Sequence, residues 1–348
     1  MGNLLNQNLG VCVIGAGDIS NYYLRAWQKQ RGIDLVSIAD LNEERAKKSA
    51  NEYGVSSWYT DYKKAVNADK VDIVTVCIPT YLHPEVSIFA ASQEKQVLCV
   101  KPISLSLEDA DKMIETAQRN RVKFCVGFMR RFSGGTDAVR PLLSEGIIGK
   151  PLLYKVDIYN CIRPKRYMHD PHNCGGPVID MCCHYFDIWR VFFNSEPTTV
   201  MAQGLIFAKG KKELDHIKKL AIDTASIIAT FASGDIGIIN ISWGLPDGCS
   251  GKNKEEIWGP EGLITGLDYS PKEFCILGAG YEKKMFIKNK NKSQDSFDGL
   301  VDSFVKSIRS NQPLAVTGED GKKALKISLA ALKSIKTGRA VNMQNYGK

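Results

Sequence analysis

The stretch VCVIGAGDIS, residues 11–20, decides the fold of the first third of the chain. Val11 to Ile14 form a short, continuously apolar run, the composition of a strand buried on both faces. Gly15 and Gly17 follow, and beyond them the apolar spacing from about Ile19 to Gln30 is helical. A glycine pair between a strand and a helix says more than the same pair alone. Gly15 permits a tight turn. Gly17, followed by Asp18 and Ile19, lets the backbone approach a pyrophosphate at the positive end of the helix. Ser20 stands where a third glycine would allow close helix–strand packing.

The alternation continues outward from this point. LVSIAD (35–40) reads as a second strand, and NEERAKKSANEYG (42–54) as a helix capped by Asn42 and stopped at Gly54. VDIVTVCIP (71–79), QVLCV (96–100) and KFCVGF (123–128) are further strands, separated by helical HPEVSIFAASQEK (83–95) and LEDADKMIETAQRN (107–120). Near-continuous apolar strands alternating with helices imply a parallel sheet covered on both faces, a doubly wound nucleotide-binding domain. Asp40 ends the second strand, where a carboxylate accepts hydrogen bonds from the adenosine ribose and repels a 2′-phosphate. NAD is therefore expected over NADP.

Past EGIIGKP (145–151) the pattern changes. LLYKVDIYN (152–160), TTVMAQGLIFA (198–208), TASIIATFA (224–232), IGIINISW (236–243), LITGL (263–267) and FCIL (274–277) read as successive strands, with a hairpin turn in ASGDIG (232–237). One long helix interrupts them, and Gly299 to Thr337 is helical again. The expectation is an α/β Rossmann domain over 1–128 and an α+β domain over 129–348. The second domain is built on a mostly antiparallel open sheet, and the C-terminal helix is a candidate to pack back on the first. An apolar face as broad as that of strands 224–243 needs a cover, so a homo-oligomer, dimer or tetramer, is expected.

Composition narrows the class. The chain has 348 residues, 44% hydrophobic and 24% charged, ordinary for a globular protein of two domains. No apolar run approaches the roughly 18 residues of a membrane helix. MGNLLNQNLG lacks the basic start and apolar stretch of a signal peptide, and Asn6 stands where a myristoylation signal needs Ser or Thr. The ten cysteines contain no CxxC pair and fall mostly in apolar runs, as buried thiols of a reducing compartment do. A cytoplasmic protein is expected. The net charge of +8 gathers in KGKK (209–212) and KKMFIKNKNK (283–292). With no recognition motif beside them these read as solvated loops, not a nucleic-acid surface.

GGPVIDMCCHYFDIW (175–189) carries the densest chemistry. Asp180 and His184, four apart, would share one helix face about 5–6 Å apart at Cβ, with Cys182 and Cys183 turned away from it. A metal reading would recruit His169, His172 and Cys174 from MHDPHNC, residues of zinc-binding type whose spacing matches no closed structural site. VKPIS (100–104) places Lys101 directly after a core strand, at the carboxyl edge of the sheet where ligands bind in open α/β folds. Such a lysine could equally snorkel to solvent.

VIGAGDIS, IPTYLHPEVSIFAA, VLCVKPISLS, VGFMRRF, GIIGKP, GGPVIDMCCHYFDIW and TGEDGKKALKISLAALKSIKTGRAV occur in one order. That order resembles the glucose–fructose oxidoreductase, inositol dehydrogenase and rhizopine-catabolism (Gfo/Idh/MocA) family over nearly the whole chain. The resemblance implies an NAD cofactor and a catalytic group of Lys101, Asp180 and His184. It implies that Pro79, Thr80, His83, Lys101 and Pro102 line the cofactor and that Met129, Arg130 and His172 border the substrate, with no metal. Val100 departs from the acidic residue usual before the Lys-Pro pair. In this setting His184 suits the proton step and the Lys101 ammonium the developing alkoxide, so the Asp–His pair reads as proton-handling. The implied activity is hydride transfer between nicotinamide and a secondary hydroxyl of a sugar, glycoside or cyclitol. An NAD-dependent glycosidase using transient ring oxidation and a non-catalytic NAD-binding protein are the alternatives.

Overall fold

The computed structural model describes residues 8–249, 251, 253–267, 271–287 and 293–347. The Lys/Asn run at 288–292 and the stretch bearing Gly2 and Asn6 lie outside them. The first elements are β1 (Leu9–Ile14), α1 (Asp18–Gln28), β2 (Ile33–Ala39), α2 (Glu43–Tyr53), β3 (Ser57–Tyr59), α3 (Tyr62–Val66), β4 (Val71–Val76), α4 (His83–Ser92), β5 (Gln96–Cys99), α5 (Leu107–Arg119) and β6 (Phe124–Val126). Then come α6 (Gly134–Ser144), β7 (Leu153–Cys161), α7 (Gly176–Asp180), α8 (Cys182–Phe193), β8 (Pro197–Leu205), β9 (Thr224–Phe231), β10 (Ile236–Leu245), β11 (Lys254–Gly259), β12 (Gly262–Leu267), β13 (Glu273–Gly278) and β14 (Tyr281–Phe286). The chain ends with α9 (Ser293–Ser310), α10 (Gly318–Thr337) and β15 (Val341–Asn342). It divides into two compact units, Met1–Met129 with Gln294–Lys322, and Arg130–Ser293 with Lys323–Lys348.

The first unit holds a six-stranded parallel sheet in the order β3-β2-β1-β4-β5-β6. Every residue of β1 is buried, as the continuous apolar run requires. Local capping ends the helices where the residues dictate. The Asn42 side chain accepts the Arg45 amide at the start of α2, and Gly54 takes the left-handed conformation at its end. Ser106 accepts the Asp109 amide at the start of α5. β3 and α3 escape the strand–helix pattern because they are three and five residues long. The late segment α9 covers α1: Phe297 stacks on Tyr22 at 4.8 Å and meets Tyr23 edge-on at 5.1 Å, and Phe304 meets Trp27. Trp27 is itself buried, its indole N–H donating to the Thr75 hydroxyl at 2.9 Å.

The second unit is built on nine strands in the order β14-β13-β12-β11-β7-β10-β9-β8-β15. All neighbours are antiparallel except β7 and β10. β9 shows the period of two: Ala225, Ile227, Ala229 and Phe231 are buried, while Ser226, Ile228 and Thr230 are exposed. α8 packs on the inner face, with Trp189 against Gly237 so closely that a Cβ there would lie 2.4 Å from the indole ring. The outer face is a mixed surface. Ser226 donates to Asn240, Asn240 donates to Asp157, both at 2.7 Å, and Lys155 pairs with Asp157, while Ile228, Leu205 and Trp258 are apolar and exposed. β11 and β14 are too charged to read as strands from alternation alone.

Candidate active site

The carboxyl edge of the parallel sheet carries the loop after β1. Gly15 has φ +99°, and a Cβ on it would lie 2.2 Å from the Cys77 carbonyl oxygen, so no other residue fits. Gly17 caps α1 without a side chain, so the positive end of the helix carries no side-chain cap. Ser20 is fully buried and turns its hydroxyl onto the Gly17 carbonyl at 2.6 Å, so the third-glycine position packs closely with a serine. Asp40 accepts the Ala16 amide at 2.9 Å through Oδ2, while Oδ1 accepts the Asn42 amide at 2.8 Å and pairs with Arg45 at 2.9 Å. The carboxylate thus braces the glycine loop and retains lone-pair capacity, since it offers about four acceptor sites. An uncapped helix, a loop that excludes side chains and a carboxylate beside it fit a dinucleotide.

The neighbouring loops belong to the same unit. Pro79 opens the 3₁₀ turn Thr80–Leu82, and Thr80 is buried. His83 is buried as well, with Nδ1 2.8 Å from the Pro102 carbonyl oxygen and Nε2 2.9 Å from that of Ile78. It therefore ties the loop after β4 to the Lys101–Pro102 step after β5. Val100 still pairs with Val76 through its amide and is buried, and Lys101 is partly exposed just beyond it. Met129 is buried at the end of this unit.

Asp180 and His184 lie in the second unit, both buried, but not on one uninterrupted helix. α7 ends at Asp180 and α8 begins at Cys182, with Met181 between them. The break shows in the bonding: the His184 amide donates to the Met181 carbonyl, three residues back, and the Cys183 thiol donates to the Asp180 carbonyl at 3.2 Å. Single-helix geometry for the pair therefore needs correction by one tightened turn.

Two consecutive arginines anchor α8. Arg131 donates to Asp187 in a two-pronged pair, 2.7 Å at Nε. Arg130, whose side chain is buried, donates to Glu255 at 2.6 Å and lies 4.3 Å over the Tyr185 ring. Glu255 also accepts the hydroxyls of Tyr154 and Tyr185. Burial opposes the charge on Arg130, yet Glu255 holds it well above the usual range. Burial and Glu255 push the Tyr154 hydroxyl up in turn. Arg130 thus faces the core of its unit, while His172 is exposed, its amide bonded to Asp170. Glu255, Tyr154, Tyr185, Arg131 and Asp187 were not foreseen. The one signal for Glu255, Arg131 and Asp187 is a charged residue at a position that alternation or helical spacing reserves for the core.

Cys182 and Cys183 are buried thiols. His169 is engaged through Nε2, which accepts the Arg163 amide at 3.1 Å. Among the described residues no cluster of three or more His, Cys, Asp or Glu could hold a metal ion.

Residues 9–128 match the oxidoreductase family model with an NAD-binding Rossmann fold, and residues 140–343 match the same family's C-terminal alpha/beta domain. Myo-inositol 2-dehydrogenase of Thermotoga maritima is 29% identical over 335 residues, covering 95% of this chain and 98% of that protein. The scyllo-inositol 2-dehydrogenase (NAD(+)) of Bacillus subtilis is 27% identical, covering 97% of each. The solved levoglucosan dehydrogenase, in complex with NADH and levoglucosan, shares the fold with a TM-score of 0.86 at 20% identity, over 97% of this chain and 100% of that one.

Proposed function

The chain belongs to the Gfo/Idh/MocA oxidoreductase family, with its NAD-binding Rossmann fold and C-terminal alpha/beta domain, and from that premise we propose that it oxidises a secondary hydroxyl of a polyol, cyclitol, sugar or glycoside. The observation that carries the reading is the glycine loop, where only Gly15 fits and Asp40 holds the Ala16 amide beside an uncapped helix. When bound, NAD supplies the hydride acceptor. Gly15, Gly17, Asp18 and Ile19 would hold its pyrophosphate and Asp40 its adenosine ribose. Pro79, Thr80, His83, Lys101 and Pro102 would hold the nicotinamide end.

The second unit supplies the proton step. His184 takes the proton of the substrate hydroxyl, with Asp180 orienting the imidazole, and Lys101 of the first unit stabilises the developing alkoxide. Met129, Arg130 and His172 complete the residues assigned to substrate. Arg130 acts indirectly, by holding Tyr185 and with it α8. A homo-oligomer, dimer or tetramer, formed through the outer face of the nine-stranded sheet, covers Ile228, Leu205 and Trp258. Ten cysteines that remain thiols suit the cytoplasm.

Reduced-nicotinamide absorbance in the presence of inositols, aldoses and glycosides tests the activity. NADH accumulating with a polyol supports the reading. Glycoside cleavage without net NADH would instead make the protein an NAD-dependent glycosidase, and NAD binding with neither outcome would leave it non-catalytic.

A further inference from the structure

Two loops of the second unit concentrate cations beside the segment that ends in Asp180. The first follows β7 and carries Arg163, Lys165 and Arg166. The second links β8 to β9 and carries Lys209, Lys211, Lys212, Lys218 and Lys219. They fold as one body. Ile162 of the first packs with Ala208 and Leu214 of the second, flanked by Ile217 and Leu220. The Ala221 amide donates to the His169 carbonyl at 2.8 Å, and the 3₁₀ turns Arg166–His169 and Lys212–Leu214 pack together.

This body rests on the start of α7. A Cβ on Gly176, the first residue of that helix, would lie 2.5 Å from the Ala221 Cβ. Glu213 and Asp215 stand exposed within the second loop against its five lysines, while the two carboxylates nearer α7 are engaged. Asp223 accepts the Phe207 and Ala208 amides at 2.9 and 2.8 Å, and Asp170 accepts the His172 amide and the Asn173 side chain. Arg163 lies 5.4 Å over the Trp243 ring, and among the described residues its buried Nε has no hydrogen-bond partner. Burial depresses His169 below the usual histidine range. Asp223 opposes that shift, while Arg166 and Arg163 add to it.

We propose that the substrate carries an anionic group, a carboxylate or a phosphate, received by this basic rim; the inference rests on the dehydrogenase reading and sharpens its substrate class. Neutral inositols would then be poor substitutes for the true one. Each cation contributes by attraction across a partly hydrated gap, so the effect falls on KM and weakens with salt.

The test compares matched probes: myo-inositol with myo-inositol 1-phosphate, and D-glucose with D-glucuronate and D-glucose 6-phosphate. At low salt at least one charged probe should exceed its neutral partner by about tenfold or more in kcat/KM, mostly through KM. The two acids separate carboxylate from phosphate. The preference should shrink as salt is raised. Lys211→Glu/Lys212→Glu and Lys218→Glu/Lys219→Glu should each lower it several-fold with Tm unchanged. Lys333→Glu/Lys336→Glu, an equal charge change on α10, should leave it in place. Neutral probes turned over equally well, at all salts and in all variants, would overturn the rim while sparing the dehydrogenase reading. Calorimetric binding of the same probes with NAD present reads the rim without turnover. Tighter binding of the charged probe without NADH would uphold the rim and refute the dehydrogenase, and equal binding would refute the rim.

Discussion

Glu255 is the residue whose loss the second unit should feel most. It is 2% exposed and accepts from three groups, the Arg130 guanidinium and the hydroxyls of Tyr154 and Tyr185. Glu255→Leu keeps the bulk but strands a buried guanidinium. Removing one partner of a buried pair costs about 3–5 kcal/mol, and the orphaned Tyr154 hydroxyl adds about 1 kcal/mol. At about 2–4 °C per kcal/mol for a unit of this size, Tm should fall by roughly 8–24 °C. Arg130→Met/Glu255→Leu removes both charges and leaves a side chain to cover the Tyr185 ring. It should recover most of the loss, because replacing a buried pair with apolar groups is often close to neutral. Thermal unfolding followed by circular dichroism measures all three proteins. If the double variant melts as low as Glu255→Leu, or the single variant stays within about 2 °C of wild type, the coupling of these charges is wrong.

Asp40→Ser should narrow the preference for NAD over NADP, because it removes the carboxylate and releases Arg45 to meet a 2′-phosphate; titration with both cofactors decides it. His184→Ala and Lys101→Ala should each cut turnover by roughly 10²–10⁴-fold while NAD affinity changes less, and Cys182→Ala should leave the chemical step near wild type, all read from steady-state kinetics. Because His169 is held below its unfolded value of about 6.5, the unfolded chain takes up a proton that the folded one resists. Stability present above that pH should be lost as pH falls through it, and His169→Gln should flatten the dependence in urea unfolding. Burial pushes the Cys12 and Cys99 thiols up to about 12, so alkylation at neutral pH should mark exposed Cys249 and spare both, as peptide mapping would show.

The parallel sheet was legible because β1, β4 and β5 are buried along nearly their whole length and so are close to continuously apolar. The caps of α2 and α5 were legible because Asn42, Gly54 and Ser106 act on their own backbone. What escaped notice was set by contacts distant in sequence. β11 contains Lys-Glu-Glu, and only the pairing of Glu255 with Arg130, 125 residues away, makes that segment a core strand. The interruption at Met181 is a matter of one residue's backbone, invisible to a hydrophobic period. Arg130 could be placed near the chemistry by likeness, but which way its side chain turned depended on Glu255. The cysteines between Asp180 and His184 looked like chemistry and are buried packing, one of them donating to the Asp180 carbonyl.

The first unit is assembled from two segments of the chain far apart in sequence, and this bears on its synthesis. Residues through Met129 leave the ribosome with the parallel sheet complete, while α9, which stacks Phe297 on Tyr22 and sets Phe304 against Trp27, follows only after residues 130–292 of the second unit have been translated. Until then a strip of aromatic surface on α1 stands open to water and to other nascent chains. Domains that emerge first usually close first. Here the nucleotide-binding unit must wait, and a chain halted before residue 293 would present that strip to chaperones for as long as it survived.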